Sequence, residues 1–218
     1  LWNGNNEVLE MFLYWGLTMP NNTAEVRGWY SQLFENVLAS VVAEYGHQYD
    51  YWPSSPLIGW SDARSAKSGD AHFWGIWHGL YDFDSSDRIR GRFVSEYGMQ
   101  GGPDISTLSK FALPEDLVSL NTSVMKTHQK HRTGYQNLKY YLDRYMREAC
   151  NITDYIYLTQ VQQAYGIQMT VEAYRRNMPQ TMGSLVWQIN DVWPVFSWST
   201  IDFYGNWKAL HYKMEKYY

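Results

Sequence analysis

Two glutamates stand where short apolar segments end, and they are the first candidates for chemistry. Glu7 follows the apolar residues 1–4, and Glu96 lies near the end of residues 92–97. Two carboxyl groups on either side of one bond can hydrolyse an acetal. One donates a proton to the leaving oxygen, while the other attacks the carbon or activates water.

Aromatic and amide side chains follow the same predicted strand ends. An indole ring offers a flat apolar face to the C–H side of a sugar ring, and asparagine can donate to a hydroxyl group. Tryptophans are more often core residues, so their position at strand ends is what makes them candidates. These candidates are Asn6, Trp74, Trp77, His78, Trp187, Asn190, Asp191 and Trp193.

The composition excludes several classes of protein. With 18 Lys+Arg against 22 Asp+Glu, the chain is mildly acidic, which disfavours a nucleic-acid partner. Aromatic residues make up 17% of the chain, which excludes a disordered protein. Cys150 is the single cysteine, so no disulfide can form within the chain. No membrane span is predicted, because no run of about 18 apolar residues occurs. No zinc spacing, phosphate loop or Ser-His-Asp set is present.

The elements that must position these residues alternate along the chain. Apolar periodicity predicts helices over residues 23–45, 155–178 and 207–218, and mostly over 113–150. Strands are predicted at residues 1–4, 49–53, 72–77, 92–97 and 182–189. This alternation predicts an α/β fold with a parallel sheet, of which the (β/α)8 barrel is the commonest form with such loops. About five strands are predicted where a full barrel has eight, and the sequence opens in mid-strand. We therefore expect a piece of a larger domain.

Four separated segments resemble the β-mannosidase branch of glycoside hydrolase family 2, in clan A. Residues 2–7 (WNGNNE) resemble the acid/base segment on the fourth barrel strand. Residues 92–100 (RFVSEYGMQ) are similar to the nucleophile segment on the seventh strand. Residues 185–194 (LVWQINDVWP) resemble the eighth-strand segment, and residues 202–212 resemble the stretch that ends the barrel.

The resemblance implies a role for each matching residue. Glu7 would be the general acid/base and Glu96 the nucleophile. Asn6 would hydrogen-bond the 2-hydroxyl, Trp187 would form the floor of the sugar subsite, and Trp74 would lie near the nucleophile. Retention of configuration without a metal or other cofactor is implied. The less specific candidates, which would border the pocket, are Trp77, His78, Asn190, Asp191 and Trp193.

The resemblance also implies a domain organisation. Residues 1–218 would be the C-terminal part of a catalytic TIM barrel, with roughly strands 4 to 8 and their helices. The N-terminal jelly-roll, the immunoglobulin-like domains and the first barrel strands of the family lie outside this sequence. The expected partners are a β-mannoside oligosaccharide or glycan and the remaining domains. The segment alone is expected to be inactive or poorly folded, because its first and last strands would be exposed edges.

Other interpretations remain open at this point. Another enzyme of the same family, a β-galactosidase, β-glucuronidase or exo-glucosaminidase, would keep both glutamates. A carbohydrate-binding relative without catalysis would suit the aromatic content, and a structural α/β domain would bury the tryptophans.

The compartment is not fixed by the sequence. Sequons at Asn21, Asn121 and Asn151 and the resemblance to bacterial members favour a periplasmic or secreted protein. A lysosomal protein is the alternative.

Overall fold

The computed structural model describes residues 1–15, 23–46, 48–60, 62–88 and 91–218. The chain divides into two compact units, each assembled from segments that are distant in sequence. Unit 1 comprises Leu1–Phe73, Arg90–Ser95 and Pro179–Ser184. Unit 2 comprises Trp74–Ile89, Glu96–Met178 and Leu185–Tyr218.

Helices dominate the described residues. The α-helices are α1 Val8–Tyr14, α2 Thr23–Tyr30, α3 Leu38–Tyr45, α4 Ile105–Leu108, α5 Ser123–Thr127, α6 Gly134–Tyr145, α7 Ile152–Arg176 and α8 Ala209–Tyr217. A π-helical segment, Ser31–Val37, joins α2 to α3. Short 3-10 helices are formed by Ser65–Lys67, Phe83–Asp87 and Pro114–Val118.

The strands are short and form two small sheets. They are β1 Trp2–Asn3, β2 Tyr51–Trp52, β3 Ala71–His72, β4 Val94–Tyr97 and β5 Ser184–Val186. In unit 1, β1 and β2 run parallel, with Trp2 opposite Tyr51 and Asn3 opposite Trp52. The second sheet has the order β3-β4-β5. The strands β4 and β5 begin in unit 1 and end in unit 2.

The long helical region of unit 1 agrees with the predicted helix over residues 23–45, with a π-helical centre. Val26 and Tyr30 are buried, as the apolar periodicity predicts. Half of the predicted apolar face is nevertheless exposed in the structure. A periodic pattern reports an apolar stripe and does not say what covers it. The exposed residues of this stripe are Trp29, Leu33, Val37 and Val41.

The core of unit 2 is organised around α7, which packs against α6 and α8. Asn151 caps this helix, since its side chain accepts a hydrogen bond from the Asp154 backbone N–H at 3.0 Å. Arg175 and Arg176 occupy its last turn, where cations interact favourably with the helix dipole. The side chains of Ile167 and Val171 are buried. The predicted helix over residues 155–178 therefore forms, and it begins three residues earlier.

Stacked rings account for part of the aromatic content. The ring of Phe83 stacks on Tyr145 at 4.2 Å and on Tyr141 at 5.1 Å between centroids. Phe83 and Tyr141 are almost fully buried. A stacked pair of this kind stabilises the fold by roughly 0.5–1.5 kcal/mol beyond the contribution of its buried apolar area.

The predicted strands form in the right places and are shorter than predicted. The segment 72–77 is the clearest error, because only Ala71–His72 is a strand. The backbone of Trp74 accepts hydrogen bonds from the N–H groups of His78 and Gly79, at 3.1 and 3.0 Å, which closes a turn. The aromatic residues of this segment favour strands as an isolated pattern, and this tertiary turn overrides that preference.

The prediction of an α/β fold with parallel strand pairing is confirmed at this level. The described strands form two open sheets and no closed barrel. No helix among the described residues has the length and apolarity to span a membrane. The sequon at Asn21 lies outside the described residues.

Candidate active site

Glu7 lies in a tight turn between β1 and α1. Its backbone has φ 56° and ψ 15°, the left-handed region that side-chain-bearing residues rarely adopt. The Glu7 N–H donates to the Ser55 carbonyl at 3.0 Å, and its own carbonyl accepts from Met11 at 2.8 Å to open the helix. The Asn5 side chain fixes the turn by accepting from the Val8 N–H at 3.0 Å. The turn therefore directs the chain from strand to helix at the glutamate itself.

The Glu7 carboxyl group is buried and contacts a histidine. Its Oε1 lies 2.5 Å from Nδ1 of His72, and the two residues are 7% and 2% exposed. On the other side of the ring, Nε2 lies 3.1 Å from the Ser55 hydroxyl. That hydroxyl donates to Asp70 at 2.5 Å, and Ser95 donates to the same carboxylate oxygen at 2.5 Å. These five side chains form one hydrogen-bonded network within unit 1.

This network determines where protons lie. Because the Ser55 hydroxyl hydrogen is donated to Asp70, its oxygen accepts from Nε2–H of His72. The short contact between Nδ1 of His72 and Glu7 then needs one further proton. Either the imidazole is charged and Glu7 ionised, or the imidazole is neutral and Glu7 carries the proton. In both cases one proton lies between the two side chains.

Glu96 occupies a different setting in unit 2. It lies in β4 and is 8% exposed. The indole Nε1–H of Trp74 donates to its Oε2 at 3.1 Å. An indole can only donate, so this contact favours the ionised carboxylate.

A close backbone approach follows Glu96. The Trp187 N–H donates to the Tyr97 carbonyl at 2.8 Å. A Cβ atom on Gly98 would lie 2.2 Å from the Trp187 carbonyl oxygen. Glycine is therefore required at position 98 to keep the end of β4 against Trp187.

An aromatic cluster surrounds Trp74 in unit 2. The His78 ring lies 4.9 Å from both Trp74 and His131, and Trp198 lies 6.1 Å from Trp74. Trp77 is completely buried and contacts Trp198 at 6.0 Å, so it supports the cluster from behind. We call these five residues the aromatic cluster.

Helix α6 holds the turn that carries this cluster. Trp77 has a φ of 85°, and its backbone N–H donates to the Tyr141 hydroxyl at 2.9 Å. Its carbonyl accepts from the Asn137 amide at 3.0 Å. Both partners lie on α6, so the strained turn is fixed by a packed helix.

The two histidines of the cluster are held neutral by their surroundings. His78 as a residue is exposed, and its ring lies 4.9–6.2 Å from those of Trp74, His131 and Trp198. Its burial among these rings, followed by the charge of His131, lowers the pKa of His78 to about 4. Burial and then the charge of Arg132 lower the pKa of His131. At neutral pH these imidazoles therefore add no positive charge to the cluster.

The remaining predicted site residues lie at three kinds of position. Asn6 and Asn190 are exposed, and Trp187 is 42% exposed after β5. Asp191 is buried and accepts hydrogen bonds from Ser197 at 2.5 Å and Gln188 at 3.1 Å. Its carboxylate therefore holds the segment after β5. Trp193 is half-buried, with its ring 5.4 Å from that of His128.

Several residues of these surroundings were not predicted from the sequence. His72, Asp70 and Ser55 hold Glu7, while His131 and Trp198 complete the aromatic cluster. A signal for His72 was present, because His72 and Trp74 are two residues apart in a predicted strand and would share one face. His131 and Trp198 carried no such signal, since only tertiary contacts bring them to Trp74.

Comparison with solved structures first defines the class of protein. A β-D-mannosidase from Dictyoglomus thermophilum matches with a TM-score of 0.87 and 35% identity, covering 99% of this chain and 26% of that one. An exo-chitosanase from Amycolatopsis orientalis matches with a TM-score of 0.59 and 16% identity, covering 82% of this chain and 22% of that one. The second match shows a shared fold alone. No family model matches the chain.

Sequence relatives then define the particular group. Beta-mannosidase B of Aspergillus fumigatus is 31% identical over 229 residues, covering 99% of this chain and 27% of the relative. That of Aspergillus niger is 30% identical over 226 residues, covering 98% of this chain and 26% of the relative. The resemblance carried by the four motifs is therefore confirmed, and the chain is a homologue of the β-mannosidases. It spans about a quarter of the length of these relatives.

Proposed function

We propose that the chain is the C-terminal part of the catalytic barrel of a retaining exo-β-mannosidase of glycoside hydrolase family 2. The reaction would be the hydrolysis of terminal β-D-mannosyl residues. The observation that carries this proposal is a pair of buried glutamates with contrasting partners, in a chain homologous to β-mannosidases. One glutamate shares a proton with an imidazole, and the other accepts from an indole N–H.

In the first step, Glu96 acts as the nucleophile. A carboxylate oxygen of Glu96 forms a bond to the anomeric carbon, while the bond from that carbon to the aglycone oxygen breaks. Glu7 donates its proton to the departing oxygen. The indole of Trp74 keeps Glu96 oriented, and its N–H stabilises the carboxylate before the attack.

In the second step, water breaks the glycosyl–enzyme ester. Glu7, now ionised, takes a proton from the water as its oxygen bonds to the anomeric carbon, and the Glu96 carboxylate leaves. Two displacements at the same carbon give retention of configuration. His72 holds the Glu7 carboxyl group in place through both steps and shares its proton.

The sugar contacts are proposed from exposure and chemistry. Trp187 exposes 42% of its surface, and its ring would form the floor of the subsite for the terminal sugar. Exposed Asn6, beside Glu7, would hydrogen-bond the 2-hydroxyl. His78, neutral and exposed, would border the pocket beside Trp74. Asn190 and Trp193 are proposed as outer contacts, with Asp191 holding their segment.

The domain organisation is part of the proposal. Residues 1–218 would supply roughly strands 4 to 8 of the (β/α)8 barrel. A jelly-roll, immunoglobulin-like domains and the first strands would come from the rest of a longer protein. The small open sheets and the quarter-length coverage of the relatives support this organisation. Residues 1–218 expressed alone should release no mannose from a β-mannoside, and hydrolysis by this segment would contradict the proposal.

The experiment that tests the function uses the complete protein with p-nitrophenyl β-D-mannopyranoside. Proton NMR of the first product should show β-mannose, which later equilibrates with the α anomer. A 2-fluoro-β-mannosyl fluoride should then label Glu96, and peptide mass spectrometry locates the adduct. First formation of α-mannose, or an adduct elsewhere, would overturn the assignment.

The same assay separates the competing sugars. The p-nitrophenyl β-galactoside, β-glucuronide and β-glucosaminide should be cleaved far more slowly than the β-mannoside. A faster reaction with one of them would replace the proposed substrate and keep the mechanism. Sugar binding without cleavage of any glycoside would instead identify a binding protein without catalysis.

A further inference from the structure

A second carboxylate of unit 1, Asp70, lies at the less buried end of the hydrogen-bonded network that reaches Glu7. Glu7 and His72 are buried, whereas Ser55 and Asp70 are half-buried. The path runs inward from Asp70 through Ser55 and His72 to Glu7. Successive polar atoms along it are 2.5, 3.1 and 2.5 Å apart. Neither step of the reaction proposed above uses Asp70.

The backbone holds the members of this path in place. Asp70 immediately precedes β3 and His72 lies in it, so these two side chains share one face of the strand. The Glu7 N–H donates to the Ser55 carbonyl at 3.0 Å, which keeps Ser55 beside the turn of Glu7. All four residues belong to unit 1. The path is therefore set by the backbone of the unit as well as by the side chains.

Asp70 accepts hydrogen bonds from two hydroxyl groups at one oxygen. Ser55 and Ser95 each donate to its Oδ2 at 2.5 Å. An ionised carboxylate has no hydrogen to give, so each hydroxyl must direct its single hydrogen at this oxygen. Hydrogen bonds to a charged acceptor are stronger than those between neutral groups. The hydrogen of Ser55 is therefore held away from His72.

This direction selects the form of the imidazole. With its hydrogen on Asp70, the Ser55 oxygen can only accept, so Nε2 of His72 carries the hydrogen that it donates. The other nitrogen, Nδ1, faces Glu7. In the neutral ring Nδ1 then has no hydrogen of its own, and the contact needs the proton of Glu7. An ionised Glu7 can keep the contact only if the ring gains a second proton.

We propose that Asp70 is a positioning residue for the acid. Acting through Ser55, it fixes one hydrogen on Nε2 of His72 and so keeps the shared proton between Nδ1 and Glu7. This inference rests on the proposed function, because it names the residue that readies the proposed acid. In the first step Glu7 gives the shared proton to the aglycone oxygen, and in the second step it takes one from water. Asp70 and Ser55 exchange no proton in either step.

Removing the carboxylate should reverse the path. In Asp70→Ala the Ser55 hydroxyl can donate to Nε2, so the ring hydrogen moves to Nδ1. Glu7 then accepts from Nδ1–H as an ionised carboxylate and has no proton to give. Ser55→Ala, which breaks the path in the middle, should have the same consequence because Nε2–H loses its acceptor.

The test compares two substrates of the complete protein. We expect kcat/KM of both variants to fall by about tenfold or more for mannobiose, whose leaving group needs a proton. For 2,4-dinitrophenyl β-mannoside, whose leaving group needs none, kcat/KM should stay within about threefold of the parent's. A variant with the circular dichroism of the parent that loses both activities equally, or loses neither, would overturn the inference.

The matched control is Ser95→Ala. It removes the other hydroxyl on the same Asp70 oxygen and leaves the path to Glu7 intact. The ratio of kcat/KM for the two substrates should stay within about twofold of the parent's ratio. A change as large as that in Ser55→Ala would show that losing any contact to Asp70 has this effect, and would refute the path through Ser55.

Locating the hydrogens separates this inference from the proposed function. Neutron diffraction from crystals of the complete protein in D2O needs no catalysis. We expect a deuteron on Nε2 of His72 and the Ser55 deuteron directed at Asp70. A Ser55 deuteron directed at Nε2 would refute the inference whatever the activity. If the parent cleaves no β-mannoside and the expected deuterons are seen, the proposed function fails and the role of Asp70 in placing the proton holds.

Discussion

Glu7 and Glu96 have the same side chain and nearly the same burial, and they differ in backbone conformation and in one hydrogen-bond partner each. Glu7 sits in a left-handed turn of unit 1 and contacts an imidazole. Glu96 lies in the regular strand β4, and its carboxylate accepts a hydrogen bond from the indole N–H of Trp74. An imidazole can give or take a proton, whereas an indole N–H can only donate a hydrogen bond.

This difference matches the two roles proposed for the glutamates. An imidazole nitrogen beside Glu7 can accept or donate a proton, whereas the Trp74 indole beside Glu96 can only donate a hydrogen bond. The side chains that distinguish the two glutamates, His72 and Trp74, lie outside the sequence motif around either one.

The largest expected effect comes from removing Glu96, the proposed nucleophile. Glu96→Gln keeps the shape and the hydrogen bond from Trp74 but cannot form the ester. We expect kcat to fall by about 10⁴-fold or more for every β-mannoside, because both steps need this carboxylate. Steady-state assays of the complete protein with several aglycones would measure the loss. A residual rate above one hundredth of the parent's would contradict the role of Glu96.

Removing Glu7, the proposed acid, should give a loss that depends on the leaving group. Glu7→Ala should slow cleavage of unactivated mannobiose by about 10²–10⁴-fold, the usual range for general acid–base catalysis. The first step with 2,4-dinitrophenyl β-mannoside should be nearly spared, because that phenolate leaves without a proton. Pre-steady-state kinetics separates the steps. An equal loss for both substrates would show that the two glutamates do not differ as proposed.

The neighbouring residues should follow the glutamate that each contacts. His72→Gln should lower kcat by about 10–100-fold for unactivated mannosides and much less for dinitrophenyl mannoside, as Glu7→Ala does. Trp74→Phe should lower kcat by about tenfold for both substrates, because it removes one hydrogen bond to the nucleophile. Measuring both variants on both substrates sharpens the comparison. If the two variants lost kcat in the same proportion on the two substrates, the separate roles proposed for Glu7 and Glu96 would be contradicted.

Two glycine variants compare the close backbone approach at Gly98 with an open helical position at Gly28. Gly98→Ala would place a Cβ against the Trp187 carbonyl and should cost roughly 1–3 kcal/mol of the free energy of unfolding. Gly28→Ala adds a methyl group to an open position in α2 and should contribute about 0.5–1 kcal/mol of stability. Thermal unfolding of the complete protein measures both. If Gly98→Ala is as stable as Gly28→Ala, glycine is not required at position 98.

The smallest expected effect is a pH dependence of stability. The pKa of His78 is about 4 when folded, against about 6.5 in an unfolded chain. The unfolded state therefore binds more protons between these values, and stability should fall as pH decreases from about 6.5 to 4. His131, with its pKa lowered in the same direction, adds to this fall. The decrease in Tm over this range should be smaller for His78→Gln than for the parent. Equal decreases would show that His78 does not cause the loss of stability.

Much of the molecule could be predicted from local pattern. The period of apolar residues predicted α7 and the helical region over residues 23–45, because a helix face repeats within a few residues. The strand positions and the α/β class followed from the same kind of signal. Both glutamates could be selected because they stand where apolar segments end. The indole Nε1 of Trp74 lies 3.1 Å from the Glu96 carboxylate, and the role of each in a reaction stays a prediction.

What could not be predicted depends on contacts between distant segments. His131 and Trp198 reach Trp74 only through the packing of unit 2. The turn after Trp74 replaced a predicted strand because α6, far along the chain, holds the Trp77 backbone. The period over residues 23–45 predicted a helix, and the exposure of Trp29, Leu33, Val37 and Val41 on it could not be predicted. A single sequence carries no local signal for any of these contacts.

The left-handed backbone at Glu7 has a consequence for how such an enzyme can lose its activity. Side chains other than glycine and asparagine adopt this conformation at a cost of order 1 kcal/mol or more. Glu7→Asn or Glu7→Gly would relieve that cost and remove the acid in one substitution. The proposed acid is thus held at this position against a conformational preference. Either substitution would exchange that acid for a less strained backbone and would leave the buried His72 ring without its contact to Glu7.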